Sequence, residues 1–449
     1  MRANLGRGSS IGADLSHRSS ALSRGPLRNW KKLSRVPGND DTWNLTIRIT
    51  ATEQTFSVNI VSGSNPEIFI DWGDGIVEYH TSIGLKTHVF LRARDYTVRI
   101  YGKFSSSGNI RLGNDANDRP RLVRTSIIPF ISGLSSFNST FYNCTGLTAI
   151  PANLFDHNTS SSTDVFSETF YGCTGLTSIP TDLFRYNTAA GTFYDTFRGC
   201  SSLTSLPIDL FRYNTAVSGF ANTFSGCTRL TAIPTDLFRY NTSVSAYGFQ
   251  GTFGNCSSLT SIPTDLFKYN TSVSTNGFYS IFNGCTGLTS IPTDLFRYNT
   301  AVGSNGFIDT FNGCTGITSL PADFFRYNTS CTSFNSTFYN CTGLTSLPTD
   351  LFRYNTACLS FANTFYGCNK LTLRSDMFCA AGDEVTRFNN QSVDFTNCMR
   401  ISSFTGTKGT APALWNFTFG SGTPTKTTCF NGHSTNSVDN YSDIPAAWR

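Results

Sequence analysis

Apolar and polar positions alternate in two different ways along the chain. Between residues 42 and 128 the period is two. Trp43-Asn-Leu-Thr-Ile-Arg-Ile-Thr50 places every second side chain on one face, as do Phe56-Ser-Val-Asn-Ile60 and Tyr96-Thr-Val-Arg-Ile-Tyr101. Such segments, separated by short turns, predict half-buried strands of a small antiparallel β-sandwich. From residue 129 onward the apolar positions recur as a longer unit. A clean copy runs Thr169-Phe-Tyr-Gly-Cys-Thr-Gly-Leu-Thr-Ser-Ile-Pro-Thr-Asp-Leu-Phe-Arg-Tyr-Asn-Thr188. Its cysteine returns at Cys144, Cys173, Cys200, Cys227, Cys256, Cys285, Cys314, Cys341 and Cys368, with a worn copy at Cys398. The spacings are 29, 27, 27, 29, 29, 29, 27, 27 and 30 residues. A unit this small cannot bury its own apolar face, so a fixed period in this range predicts a solenoid of stacked coils.

Within a unit, Leu-Thr-Ser-Ile is a short alternating segment, and the following proline removes a backbone donor and ends it. Parallel pairing of these segments from coil to coil is expected, at about 4.8 Å. Asp-Leu-Phe-Arg-Tyr-Asn predicts one helical turn or a tight loop with Leu and Phe inward. The Phe of Thr-Phe-x-x-Cys is the second large core residue. The expected fold is mainly β with short helical turns: a leucine-rich-repeat-type solenoid of about ten coils behind a small antiparallel sandwich. Four segments follow: a basic docking arm (1–41), the sandwich (42–128), the solenoid (129–371), and degenerate repeats with a C-terminal cap (372–449). Trp415, Phe417, Phe419 and Trp448 are the residues available to cover the open end of the last coil.

Charge changes this picture only at the N-terminus. Charged residues make up 14% of the chain and the net charge is +5. The first 36 residues hold eight Lys or Arg against one acid, Asp14, so the remainder is close to neutral. Nucleic-acid binding by the whole surface is not indicated. The arm is expected to be disordered alone and to dock on an acidic socket through Arg24, Arg28, Trp30, Lys31 and Lys32. No run of 18 apolar residues exists, so membrane insertion is not expected. The N-terminus lacks the apolar core of a secretory signal and the C-terminus lacks an anchor tail.

Asp71-Trp-Gly-Asp-Gly75, with His88-Val-Phe and Tyr96-Thr-Val, resembles a PKD-type β-sandwich over about 60 residues. Two carboxylates in its turn fall far short of the six to eight oxygens that calcium takes. The Phe-x-x-Cys-x-x-Leu-Thr units resemble the BspA-like leucine-rich repeats, over about two-thirds of the chain. That resemblance implies a surface protein or adhesin of bacteria, protists or phages.

Three features are candidates for chemistry. The repeat cysteines should form an internal ladder of free thiols. Cys331 and Cys358, 27 residues apart, occupy equivalent places on adjacent coils and are the best disulfide candidates. Seven aspartates, from Asp182 to Asp350, each precede an Arg or Lys by three residues, and a Tyr follows each base. This is either a basic–aromatic track for an acidic glycan or a self-neutralised stripe. Extra residues in three consecutive 29-residue units suggest a ridge carrying Tyr247, Phe249, Asn276, Phe278, Asn305 and Phe307. No catalytic motif, cofactor or metal set is recognised. The expected function is a non-enzymatic virion protein of a phage or virus. Its arm would contact other virion proteins, and its solenoid a host surface protein or glycan; a homo-oligomer is also allowed. The alternative is a bacterial cell-surface or secreted adhesin.

Overall fold

The computed structural model describes residues 41–113, 116–158, 160, 162–380 and 382–449. The docking-arm residues Arg24, Arg28, Trp30, Lys31 and Lys32 lie outside them.

Eight strands build the first part: β1 (Trp43–Ile49), β2 (Gln54–Ser64), β3 (Glu67–Asp71), β4 (Val77–His80), β5 (Gly84–Phe90), β6 (Arg94–Leu112), β7 (Leu122–Thr125) and β8 (Ser132–Ser136). The long β6 serves two half-sheets. Its first half lies between β1 and β3, and its second half pairs with β2. β4 and β5 pair only with β3 and β2 respectively among the described residues. The halves face each other: Trp72, just past β3, stacks on His88 of β5 at 5.0 Å, and Phe90 packs on Tyr96 at 4.5 Å. The period-two residues named above supply this core, with Trp43, Leu45, Ile47, Phe56, Val58 and Ile60 fully buried. The expected antiparallel pairing holds except at β8, which runs parallel to β6.

The coils differ from expectation in which segment joins them. Leu-Thr-Ser-Ile forms no continuous parallel sheet; only isolated bridges such as Ser319–Ser346 occur. The main ladder runs along Thr-Phe-x-x-Cys. There, alternate amides donate to the next coil, as Phe193 to Gly219, Asp195 to Ala221, Phe197 to Thr223 and Gly199 to Ser225, all at 2.7–3.1 Å. The amides between them close four-residue β-turns on their own coil, as Thr196 to Phe193 and Cys200 to Phe197. Each turn needs a left-handed residue every fourth position, and Asp195 (φ 54°) and Gly199 (φ 73°) supply it. Asn, Asp and Gly tolerate that conformation best. The predicted β-strand is thus a chain of turns, because every second amide is spent within its own coil.

Inside, side chains donate in the opposite direction, to the preceding coil. Thr223 Oγ1 donates to the Phe193 carbonyl (2.8 Å), Cys227 Sγ to Phe197 (3.4 Å), and Asn241 Nδ2 to Phe211 (3.1 Å) and Asn214 (2.9 Å). Three phenylalanine columns fill the space between these polar ladders, with rings of successive coils near-parallel at 5.2–6.3 Å. The third column is Phe166, Phe193, Phe220 and their equivalents, three of which the sequence reading assigns to the outer ridge.

Both ends are closed. At the first coil, Thr140 Oγ1 donates to Ile110 (2.8 Å) and Cys144 Sγ reaches Leu112 (3.9 Å), so β6 stands in for a preceding coil. Trp43 covers the Phe141 ring edge-on at 5.9 Å. At the other end Trp448 packs on Phe395 and Phe419 on Phe388, each at 5.9 Å. The asparagine ladder stops at Arg387, on the four-residue helix α1 (Glu384–Arg387). Arg387 Nη2 donates to the Phe352 and Asn355 carbonyls at 3.2 and 3.0 Å, the bonds a further asparagine would make. Burial lowers its pKa to about 10, so it is charged at neutral pH.

Candidate functional surface

The 29-residue coils owe their length to one added turn. Tyr247 (φ 57°), Asn276 (φ 53°) and Asn305 (φ 56°) are left-handed residues that open it. The Tyr247 and Asn276 amides donate to the next coil at Thr275 and Ser304, 2.9 and 3.0 Å away. A glycine must follow. A Cβ on Gly248, Gly277 or Gly306 would stand 2.1–2.3 Å from Cγ1 of Val244, Val273 or Val302. Tyr247 and Asn305 are exposed and Asn276 is half-buried, so the three form a crest on adjacent coils. Phe249, Phe278 and Phe307 correct the expectation: they are fully buried members of the third phenylalanine column and cannot touch a partner. The four-residue turn period carries them back to the core two positions after each crest residue.

The Asp–Arg–Tyr rows are a self-neutralised stripe. Arg212, Arg239, Lys268, Arg297, Arg326 and Arg353 each pair with the aspartate three residues earlier at 3.2–3.7 Å. All of these cations but Arg353 also lie between their own tyrosine and the next coil's: Arg239 is 5.7 Å from the Tyr240 ring and 5.4 Å from Tyr269. One face of these tyrosines is thus held by cations, and six of the seven bases are neutralised by their own aspartate; Arg185 has no such pair with Asp182 among the described residues.

All fourteen cysteines are buried and free, Cys331 and Cys358 included. Burial pushes Cys144, Cys200, Cys285 and Cys341 up to about 12, which leaves almost no nucleophilic thiolate at neutral pH. The Asp71–Gly75 turn is consumed structurally. Asp71 accepts from Gly73 and Arg99, and Asp74 from Ile76 and His88. At the first coil a cleft of about 360 Å³ opens between Ile128, Phe130, Leu134, Phe155 and His157.

No family model matches the chain, and no curated protein matches it. Among solved structures, a leucine rich cell surface protein from Faecalibacterium prausnitzii A2-165 aligns over 80% of this chain and 97% of its own. It shares 14% identity at a TM-score of 0.25. No helix among the described residues is long and apolar enough to cross a membrane.

Proposed function

We propose that this chain is a non-enzymatic surface-displayed binding protein of the adhesin type, with the solenoid as a rigid presenter and a host surface protein or glycan as its ligand. The crest supports this reading. Three adjacent coils of equal length carry equivalent outward residues, Tyr247, Asn276 and Asn305, on a backbone hydrogen-bonded from coil to coil. The interior amide and hydroxyl donors are spent on joining coils, which leaves recognition to the exterior rows. Bacterial cell-surface display suits this arrangement. The virion reading, the first expected from the sequence, leans on the basic arm, which lies outside the described residues, and nothing in the structure or the comparisons indicates it.

The test is binding of the purified chain to host cells and to a glycan array. The Tyr247→Asn, Asn276→Gly, Asn305→Gly variant keeps residues that tolerate positive φ and should unfold at the wild-type temperature. Loss of at least tenfold in cell binding supports the crest. Unchanged binding removes it from the contact surface.

A further inference from the structure

The edge strand β5 is built in a way that soluble sheets avoid. Among the described residues it pairs with β2 alone, in an unbroken register from Gln54–Phe90 to Ile60–Gly84. It has no bulge and no proline. Its inward residues are committed: His88 stacks on Trp72 and bonds Asp74 at 2.7 Å, and Phe90 is buried. Its outward residues are apolar or neutral. Leu85 is 44% exposed, Val89 47% and Leu91 71%, with Ile83 at 55% just before the strand. On β2 the residues that face them are Thr55, which bonds Asp118, buried Ser57, and Asn59. Proteins guard such edges with outward lysines, prolines or bulges, because the free amides and carbonyls are a template for another strand. Here the strand has no proline and no bulge, and its one charge, Lys86, lies on the inner face with His88, so the outward row is unguarded.

We propose that β5 is a dimerisation strand that pairs antiparallel with β5 of a second copy, about a two-fold axis through Thr87. The sequence is self-complementary in that register. Leu85 faces Val89 of the second copy, Ile83 faces Leu91, and Thr87 faces itself, so the exposed apolar residues cover one another twice over. Apolar and β-branched cross-strand pairs of this kind stabilise a sheet. Charge complementarity selects the same register. Lys86 comes to lie opposite His88 of the second copy, beside the Asp74 carboxylate that His88 holds, and the symmetry repeats the match. An isologous contact of this sort closes at two chains and does not propagate. It would set two solenoids on one axis and double the valency of any surface they present.

Two measurements on the full chain test it. In Thr87→Cys, the new thiol meets its own copy across the axis, and the fourteen buried native thiols do not compete. Diamide, which takes two thiols to a disulfide, should convert this variant to a covalent dimer at least tenfold faster than Val61→Cys, an exposed position on β2 away from the edge. Sedimentation velocity should show a dimer for the wild type and a monomer for Val89→Lys, with unchanged circular dichroism because Val89 faces outward. Equal crosslinking rates would overturn the register. A monomeric wild type, or a Val89→Lys dimer, would overturn the proposal, including the case in which β5 pairs with a strand of another protein.

Discussion

Replacing Asn270 by Asp and by Ala separates what the interior amides contribute from the space they fill. Asn270 is fully buried. Its Nδ2 donates to the Phe238 and Asn241 carbonyls at 3.1 and 2.9 Å, while its Oδ1 has no partner among the described residues. Alanine removes two bonds of about 1 kcal/mol each, but both carbonyls keep a backbone donor and an orphan acceptor disappears. The expected loss is therefore about 2 kcal/mol, including the small void. Aspartate keeps the size and replaces the donor with a second oxygen aimed at two carbonyls. An uncompensated buried charge costs about 3–5 kcal/mol, so the isosteric change should be the more damaging one. The sign with pH follows. Burial raises the folded-state pKa of this aspartate above the unfolded value near 3.9, so its penalty is full above the folded pKa and vanishes below the unfolded one. Guanidinium unfolding at pH 7 and pH 4.5, read as the difference from wild type, measures both terms. Equal destabilisation by Asp and Ala, or an Asp penalty that does not shrink on acidification, would refute the donor role of the ladder.

Gly277→Ala should cost about 1–3 kcal/mol by overpacking, and Val273→Ala in the same chain should restore most of it, since the clash is with Val273 Cγ1; thermal melts of the four-member cycle check this. Arg387→Ala should raise amide exchange selectively around residues 378–395, because the Phe352, Asn355 and Phe378 carbonyls lose its donors. Buried His433, lowered from 6.5 to about 4 by desolvation, contributes stability that is full above pH 6.5 and lost as pH falls toward 4, about 3 kcal/mol in all. In His433→Gln that part of the pH slope should vanish from exchange rates in the last coil. An aromatic disulfide reagent should find no reactive thiol in the native chain and fourteen after unfolding.

The sandwich core and the coil period were legible because burial imposes period two on strands and a fixed length on coils. The inward Leu, Phe and Cys of each unit were legible for the same reason. The hydrogen-bonding segment was not. Leu-Thr-Ser-Ile has β-forming residues, but the pairing fell to Thr-Phe-x-x-Cys, where left-handed Asp, Asn and Gly recur every fourth residue. Alternation of period two cannot report a period of four. That same turn period hid the inward orientation of Phe249, Phe278 and Phe307; Tyr247 and Asn305 are exposed and Asn276 half-buried. The recurrent Asn before Thr was a signal of the amide ladder, visible in every unit from Asn158 to Asn355. Arg387 carried none, because its role depends on where the ladder ends.

The substitution of β6 for a missing coil has a consequence in time. A ribosome delivers the sandwich first, and with it the Ile110 and Leu112 carbonyls that Thr140 and Cys144 will seek. Every later coil then emerges beside a finished edge offering the same acceptors, and can settle before the next is made. Assembly on this template closes only short loops, because each partner lies about one repeat away. A chain permuted to put the sandwich last would have to begin its stack from an unfinished surface, and its refolding should slow while its final stability stays nearly the same.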